Sequence, residues 1–156
     1  LIRAAGRTHK QTGLTIYSHT GKARPALEQI NLLIRDNVSP EAFVWVHAQN
    51  EKDQQQYLVA LKSGAWVSLD GMTSDYDNYV SKLVFLKANG WLHKVLISHD
   101  AGWYRPGEAN GGDIHGYTDI FKHIKPALRV KGFTEDDINQ LMIRNPAKAL
   151  TIRIRH

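Results

Sequence analysis

Residues 94–100 read Lys-Val-Leu-Ile-Ser-His-Asp, a short apolar run that ends in an imidazole and a carboxylate. The run is too short for a buried helix and has the composition of a buried strand. Three earlier runs share this design, and each leads directly into a histidine or an aspartate: 14–18 before His19, 43–46 before His47, and 65–69 before Asp70. These ends lie 23 to 30 residues apart, which leaves room for one helix after each strand.

Amphipathic segments separate the four runs. Leu27, Ile30 and Leu33, for example, recur at helical spacing. The predicted helices cover 1–12, 24–36, 51–62, 75–89, 117–130 and 135–144, with a short last turn to Leu150. Thr134 with Asp137 three residues later is a carboxylate variant of the capping box. Strands that alternate with helices predict a parallel sheet in an α/β fold.

Composition excludes several classes of function. The 156 residues carry a formal charge of +5, with 42% hydrophobic and 22% charged residues, which is typical of a globular domain. Basic residues are scattered except in the tail (Arg153, Arg155 and His156), so no nucleic-acid partner is predicted. No apolar stretch approaches the roughly 20 residues that span a bilayer, so we expect no membrane partner and a cytoplasmic protein. There is no cysteine, and a metal would need imidazole and carboxylate ligands.

The strand ends indicate a metal site. Parallel strands deliver their carboxyl ends to one edge of the sheet, where the sites of α/β proteins assemble. His19, His47 and Asp100 are the predicted ligands of a divalent cation, and Asp100 is also the predicted catalytic residue that takes a proton from metal-activated water. Asp70 and His99 are expected to support the ligands through hydrogen bonds. A single histidine after a strand is usually an ordinary surface residue, so the prediction depends on the whole set.

Residues 101–116 form a long loop with five glycines and one proline. Loops of this length within a domain are usually functional. Trp103 and Tyr104 are predicted to wall a substrate pocket, and Arg105 to bind a phosphate or carboxylate group. His115 is a weaker candidate in the same loop.

Local sequences resemble one family. Thr15-Ile16-Tyr17-Ser18-His19-Thr20 resembles the fifth barrel strand of phosphotriesterase-related proteins in the amidohydrolase superfamily. Later segments resemble the sixth, seventh and eighth strands and the closing Asn-Pro-Ala helix: 44–47, 67–70, 95–100 and 143–150. The resemblance covers nearly the whole chain and implies the C-terminal half, strands 5 to 8, of a TIM (β/α)₈ barrel. Residues 1–156 would then be a single partial domain, with the N-terminal half before Leu1.

The resemblance also implies an activity. In that family His19 and His47 would hold one metal, and Asp100 would bind a second and accept the proton of the attacking water. The expected cofactor is two divalent ions, Zn²⁺ or alternatively Mn²⁺ or Co²⁺, whose remaining ligands lie upstream. Positions 50 and 71 carry Asn50 and Gly71 where phosphotriesterases proper have a proton relay. A lactone or other carboxylic ester is therefore the preferred small-molecule substrate, ahead of a phosphate ester.

Four βα units leave two open sheet edges, which invite pairing. We expect the chain to meet the N-terminal half of the barrel or to form a homodimer, and the fragment alone to be inactive. One alternative is a binding or scaffold protein that keeps the barrel strands but has lost its metal. A flavodoxin-like sheet would need a glycine-rich phosphate loop, and Thr20-Gly21-Lys22 is too short to form one.

Overall fold

Four short parallel strands form one sheet in the order β1-β2-β3-β4. The computed structural model describes residues 1–155, and His156 lies outside them. The strands are β1 (Ile16–His19), β2 (Phe43–Val46), β3 (Trp66–Leu69) and β4 (Val95–Ile97). The helices are α1 (Ile2–Thr12), α2 (Ala23–Arg35), α3 (Gln55–Lys62), α4 (Tyr76–Ala88), α5 (Lys125–Val130), α6 (Glu135–Asn139) and α7 (Asn145–Leu150). This confirms the predicted α/β fold and the order of its elements.

Both faces of the sheet are buried over much of its area, which explains the continuous apolar runs in the sequence. One face of the sheet, called the outer face here, packs against most of the helices through Phe43, Trp45, Val67, Leu69 and Val95. The inner face carries a smaller cluster, made of Val44, Trp66, Leu96 and Ala149 of α7. Each large apolar side chain buried in this way contributes about 1.5–3 kcal/mol. Packing on both faces therefore fixes the register that brings the strand ends together.

Two helices begin three or four residues later than the sequence predicts. α3 begins at Gln55 rather than Glu51, because the carboxylate of Glu51 accepts the backbone N–H of Ala23 at 3.0 Å and thereby caps α2. This bond is the largest of several that lower the pKa of Glu51. The helix predicted from Tyr117 begins with a π-helical turn at Ile120–Ile124, which leads into α5. The hydroxyl of Tyr117 instead donates to a loop carbonyl at 2.9 Å, so this residue belongs to the loop.

Polar contacts fix the last helices, α6 and α7. The predicted capping box is present, with the Asp137 N–H donating to Thr134 Oγ1 at 3.2 Å. The carboxamide of Asn145 donates to the carbonyls of Leu92 at 2.8 Å and Val95 at 2.7 Å, on either side of the start of β4. Asn145 has no exposed surface. The Asn-Pro-Ala segment therefore holds α7 against the amino end of β4.

The outer edges of β1 and β4 have no strand partner among residues 1–155, because each of these strands pairs with a single neighbour. Tyr17, whose Cα pairs with that of buried Val44, is half exposed. Among residues 1–155, the helices are all too short or too polar to span a bilayer. The sheet thus has the predicted pair of open edges.

Candidate metal centre

The carboxyl edge of the sheet gathers the predicted ligands. His19 ends β1, His47 and Asp70 follow β2 and β3 directly, and Asp100 comes three residues after β4. Ligand atoms of His47, Asp70 and Asp100 all lie within 4.8 Å of one another. The His19 ring stands nearly perpendicular to that of His47, with 4.1 Å between their centroids. The structure thus clusters His47 and Asp100 with Asp70, and it places the His19 ring against that of His47 without including His19 among the mutually close ligand atoms.

The backbone at two of these residues is unusual. His47 has a φ of 58° and Asp100 a φ of 46°, in the left-handed region that side chains other than glycine rarely adopt. Such conformations persist where surrounding contacts hold them, and they concentrate at functional sites. At His47 the holding contact is visible, because its backbone N–H donates to Asp70 Oδ2 at 3.0 Å.

Asp70 is the centre of the hydrogen-bond network. Its Oδ1 accepts from the ring Nδ1 of His47 and from Gln49 Nε2 at 2.9 Å. Its Oδ2 accepts from the Ser68 hydroxyl at 3.2 Å as well as from the His47 N–H. The residue is buried, and four donors suit a carboxylate, which can only accept. Asp70 therefore fixes the His47 ring and leaves Nε2 without a partner among residues 1–155, an arrangement typical of metal-binding histidines.

His99 lies outside this cluster. Its Nε2 accepts the backbone N–H of Ile120 at 3.0 Å, so its ring supports the helical turn before α5 instead of a predicted ligand. Burial lowers the pKa of His99, with the charge of Asp119 acting in the opposite direction.

The three predicted substrate residues lie on the surface of the loop. Trp103 and Tyr104 are 68% and 67% exposed. The Trp103 indole donates to the Asp100 carbonyl at 3.0 Å, which ties the loop to the metal centre. Arg105 lies 3.7 Å from the carboxylate of Glu108. Their role in substrate binding stays a prediction.

Sequence reasoning missed the supporting residues Gln49 and Ser68, and only their closeness in sequence to His47 and Asp70 could have indicated them. Gly71 also has a structural explanation. Its φ is +74°, and an added Cβ would lie 3.2 Å from the Tyr79 hydroxyl. That hydroxyl donates to the Asp70 carbonyl at 2.8 Å, and burial is the main cause that raises the pKa of Tyr79 to about 12. The turn after Asp70 therefore favours glycine.

The sequence profile of the phosphotriesterase family matches residues 1–150. This chain belongs to that family. The phosphotriesterase homology protein of Escherichia coli is 30% identical over 149 residues, covering 93% of this chain and 50% of that relative. The N-acetyltaurine hydrolase of Dictyostelium discoideum is 27% identical over 166 residues, covering 96% and 44%. The predicted family resemblance is confirmed.

Solved structures of the phosphotriesterase family share the fold. A lactonase from Listeria monocytogenes superposes with a TM-score of 0.85 at 27% identity, covering 97% of this chain and 49% of that one. The E. coli phosphotriesterase homology protein, complexed with phosphate in its active site, gives 0.81 at 25% identity, covering 94% and 51%. The chain spans about half the length of the relatives that it matches. Its sheet therefore corresponds to half of a phosphotriesterase barrel.

Proposed function

We propose that this chain forms part of the active site of a metal-dependent hydrolase, with two divalent ions in the complete site. The observation that carries the proposal is the cluster of His47, Asp70 and Asp100, with the His19 ring against it. Imidazole nitrogen and carboxylate oxygen are suitable ligands for Zn²⁺, and Mn²⁺ or Co²⁺ can take the same donors. The donor set therefore fits the cofactor that the family implies.

Each side chain has a proposed role. His19 and His47 bind one ion, and Asp70 holds the His47 ring in place. A bound divalent ion lowers the pKa of water from 15.7 toward about 7. Asp100 binds the other ion and takes the proton of the attacking water, which its partly exposed carboxylate can reach.

The proposed substrate is a lactone or another carboxylic ester, with a phosphate ester as the second choice. The likeness to a lactonase supports the first class, and the likeness to a protein with phosphate in its active site supports the second. The loop after Asp100 would contact the substrate through Trp103, Tyr104 and Arg105. The indole contact between Trp103 and the Asp100 carbonyl supports this role for the loop.

We further propose that four more βα units pair with the open edges of β1 and β4 and complete the barrel. Two observations support this: the chain covers about half the length of its relatives, and the outer edges of β1 and β4 have no strand partner among residues 1–155. A second copy of this chain is the alternative partner. Measuring the molecular mass of the isolated chain in solution distinguishes these two partners, since a stable dimer would favour a second copy of the chain.

The test compares His47→Ala with His93→Ala in the complete barrel protein. His93 is an exposed histidine just before β4, at the opposite edge of the sheet, so it serves as the control. We expect His47→Ala to lose at least one equivalent of metal and most ester turnover, whereas His93→Ala keeps both. Full metal content with undiminished turnover in His47→Ala would contradict the proposal. An unaltered protein that binds no metal would favour the scaffold alternative.

A further inference from the structure

The loop after β4 is closed at its base by its own backbone and side chains. Three hydrogen bonds join its two arms: Gly102 N–H to the His115 carbonyl at 3.0 Å, Tyr117 O–H to the Ala101 carbonyl at 2.9 Å, and Ile120 N–H to His99 Nε2 at 3.0 Å. Gly102 permits this closure, because its φ is +80° and an added Cβ would lie 2.0 Å from the Tyr117 hydroxyl. The backbone of His115 is therefore held opposite a residue only two positions from Asp100.

His115 is paired with a buried carboxylate. Its Nε2 donates to Asp119 Oδ2 at 2.6 Å, and the Tyr76 hydroxyl donates to the same oxygen at 2.8 Å. These two hydrogen bonds, with that from Tyr76 the larger, hold the pKa of Asp119 below its usual range. Tyr76 is itself held by stacking on His123, with 4.5 Å between ring centroids. The result is a supported row of three groups, from Tyr76 through Asp119 to His115.

The other side of the imidazole is free. Nδ1 of His115 has no hydrogen-bond partner among residues 1–155, and the side chain is 48% exposed. Because Asp119 holds the protonated Nε2, only Nδ1 can exchange a proton with a bound molecule. A histidine with one nitrogen on a buried carboxylate and the other open is the arrangement of acid–base catalysts, since the carboxylate orients the ring and stabilises the imidazolium.

We propose that His115 gives a proton to the leaving group of the substrate and that Asp119 positions it for this step. The proposal rests on the proposed hydrolase function and names the substrate class that needs such a donor, esters whose leaving group is a poorly stabilised alkoxide. Lactones belong to this class.

The proposed step consumes one water for each ester. The oxygen of the attacking water forms a bond to the carbonyl carbon, and its proton passes to Asp100. The bond from that carbon to the leaving oxygen breaks, and this oxygen takes the Nδ1 proton of the His115 imidazolium, whose Nε2 proton stays on Asp119. Asp100 then releases its proton to solvent and His115 regains one. One ester and one water thus give one carboxylic acid and one alcohol.

The test uses the complete barrel protein and two esters of the same carboxylic acid, a p-nitrophenyl ester and an ethyl ester. A nitrophenolate leaves without help, whereas ethoxide needs a proton. For His115→Asn we expect kcat on the ethyl ester to fall about 10²–10⁴-fold, the usual range for a lost acid catalyst, and kcat on the nitrophenyl ester to fall less than about threefold. Asp119→Asn should show the same selectivity with a smaller loss, and His93→Asn should change neither ester.

Equal losses on both esters would overturn the proposal, because a residue that only fastens the loop would affect both leaving groups alike. Unchanged turnover of both esters would overturn it as well. If His115→Asn does not fold, the ratio of the two esters in Asp119→Asn and in His115→Gln decides in the same way. An unaltered protein that binds metal but hydrolyses no ester or lactone would refute the proposed function itself, and the proton donor with it.

Discussion

Replacing Asp70 with asparagine tests the network around His47 while keeping the size of the side chain. The carboxylate accepts from four donors, the ring and backbone of His47, Gln49 and Ser68. A carboxamide has only one oxygen, and its NH₂ group would face donors on the other side. The Ser68 hydroxyl can rotate away, but the backbone N–H of His47 cannot. At least one hydrogen bond to a charged acceptor is therefore lost.

The expected size of the effect follows from this geometry. A hydrogen bond to a charged group contributes about 1.5–3 kcal/mol, so the free energy of unfolding should fall by about 2–3 kcal/mol. Since Asp70 also orients the His47 ring, the affinity for Zn²⁺ should fall about 10–100-fold. Urea unfolding of the metal-free protein measures the first effect, and calorimetric titration with Zn²⁺ measures the second.

Asp77→Asn is the matched control. Asp77 lies exposed in the first turn of α4 and makes no hydrogen bond or ion pair with another side chain among the described residues, so the same loss of charge there should cost no more than the ~0.3–1 kcal/mol of its interaction with the helix dipole and should leave the Zn²⁺ affinity unchanged. A stability loss in Asp70→Asn with unchanged Zn²⁺ affinity would show that Asp70 supports the fold but not the metal site. No change in either measurement would refute the role of the network.

Three further changes test other parts of the structure. Asn145→Ala leaves two buried backbone carbonyls without their donor and should cost about 2–4 kcal/mol in urea unfolding, whereas a loss below about 1 kcal/mol would contradict the role of the carboxamide. His99→Gln should flatten the pH dependence of the free energy of unfolding. Burial lowers the pKa of His99, so below about pH 6.5 the unfolded chain binds a proton that the folded chain does not. The free energy of unfolding of the unaltered protein therefore falls as the pH falls. An equal fall in the free energy of unfolding between pH 7 and 5 in the unaltered protein and in His99→Gln would refute this. Gly102→Ala places a Cβ against the Tyr117 hydroxyl at positive φ. It should lower the free energy of unfolding by about 1–3 kcal/mol and reduce turnover, with the metal content unchanged. Full turnover at full stability would contradict the closed base of the loop.

The fold could be predicted because local and global signals agree. Phe43-Val44-Trp45-Val46 is buried on both faces of the sheet, so its sequence is a continuous apolar run that only a central strand explains. The starts of α3 and α5 could not be predicted, because they depend on contacts distant in sequence. The carboxylate of Glu51 is engaged by α2, and the hydroxyl of Tyr117 by the loop base.

The site was predictable to the level of strand ends. Parallel strands bring His19, His47 and Asp100 to one edge whatever the side-chain details. The hydrogen-bond partners depend on ångström-scale placement and on the left-handed backbone of His47, for which the sequence carries no signal. His99 illustrates this limit, because its sequence neighbour Asp100 lies 3.9 Å from the His47 ring whereas its own ring accepts the backbone N–H of Ile120.

The pairing of His115 with Asp119 was also outside the reach of the sequence. The two residues are four apart, a spacing that places side chains together on a helix. His115 lies in the loop, however, and helical structure begins only at Asp119. The contact arises from the closed base of the loop and not from helical periodicity.

Anomalous X-ray diffraction from crystals of the complete protein grown with Zn²⁺ tests the metal centre most directly. We expect zinc at about 2.0–2.2 Å from a ring nitrogen of His47, with His19 on the same ion and the Asp100 carboxylate on this ion or its neighbour. Zinc bound elsewhere, or no ion at this edge of the sheet despite saturating Zn²⁺, would contradict the proposed metal centre.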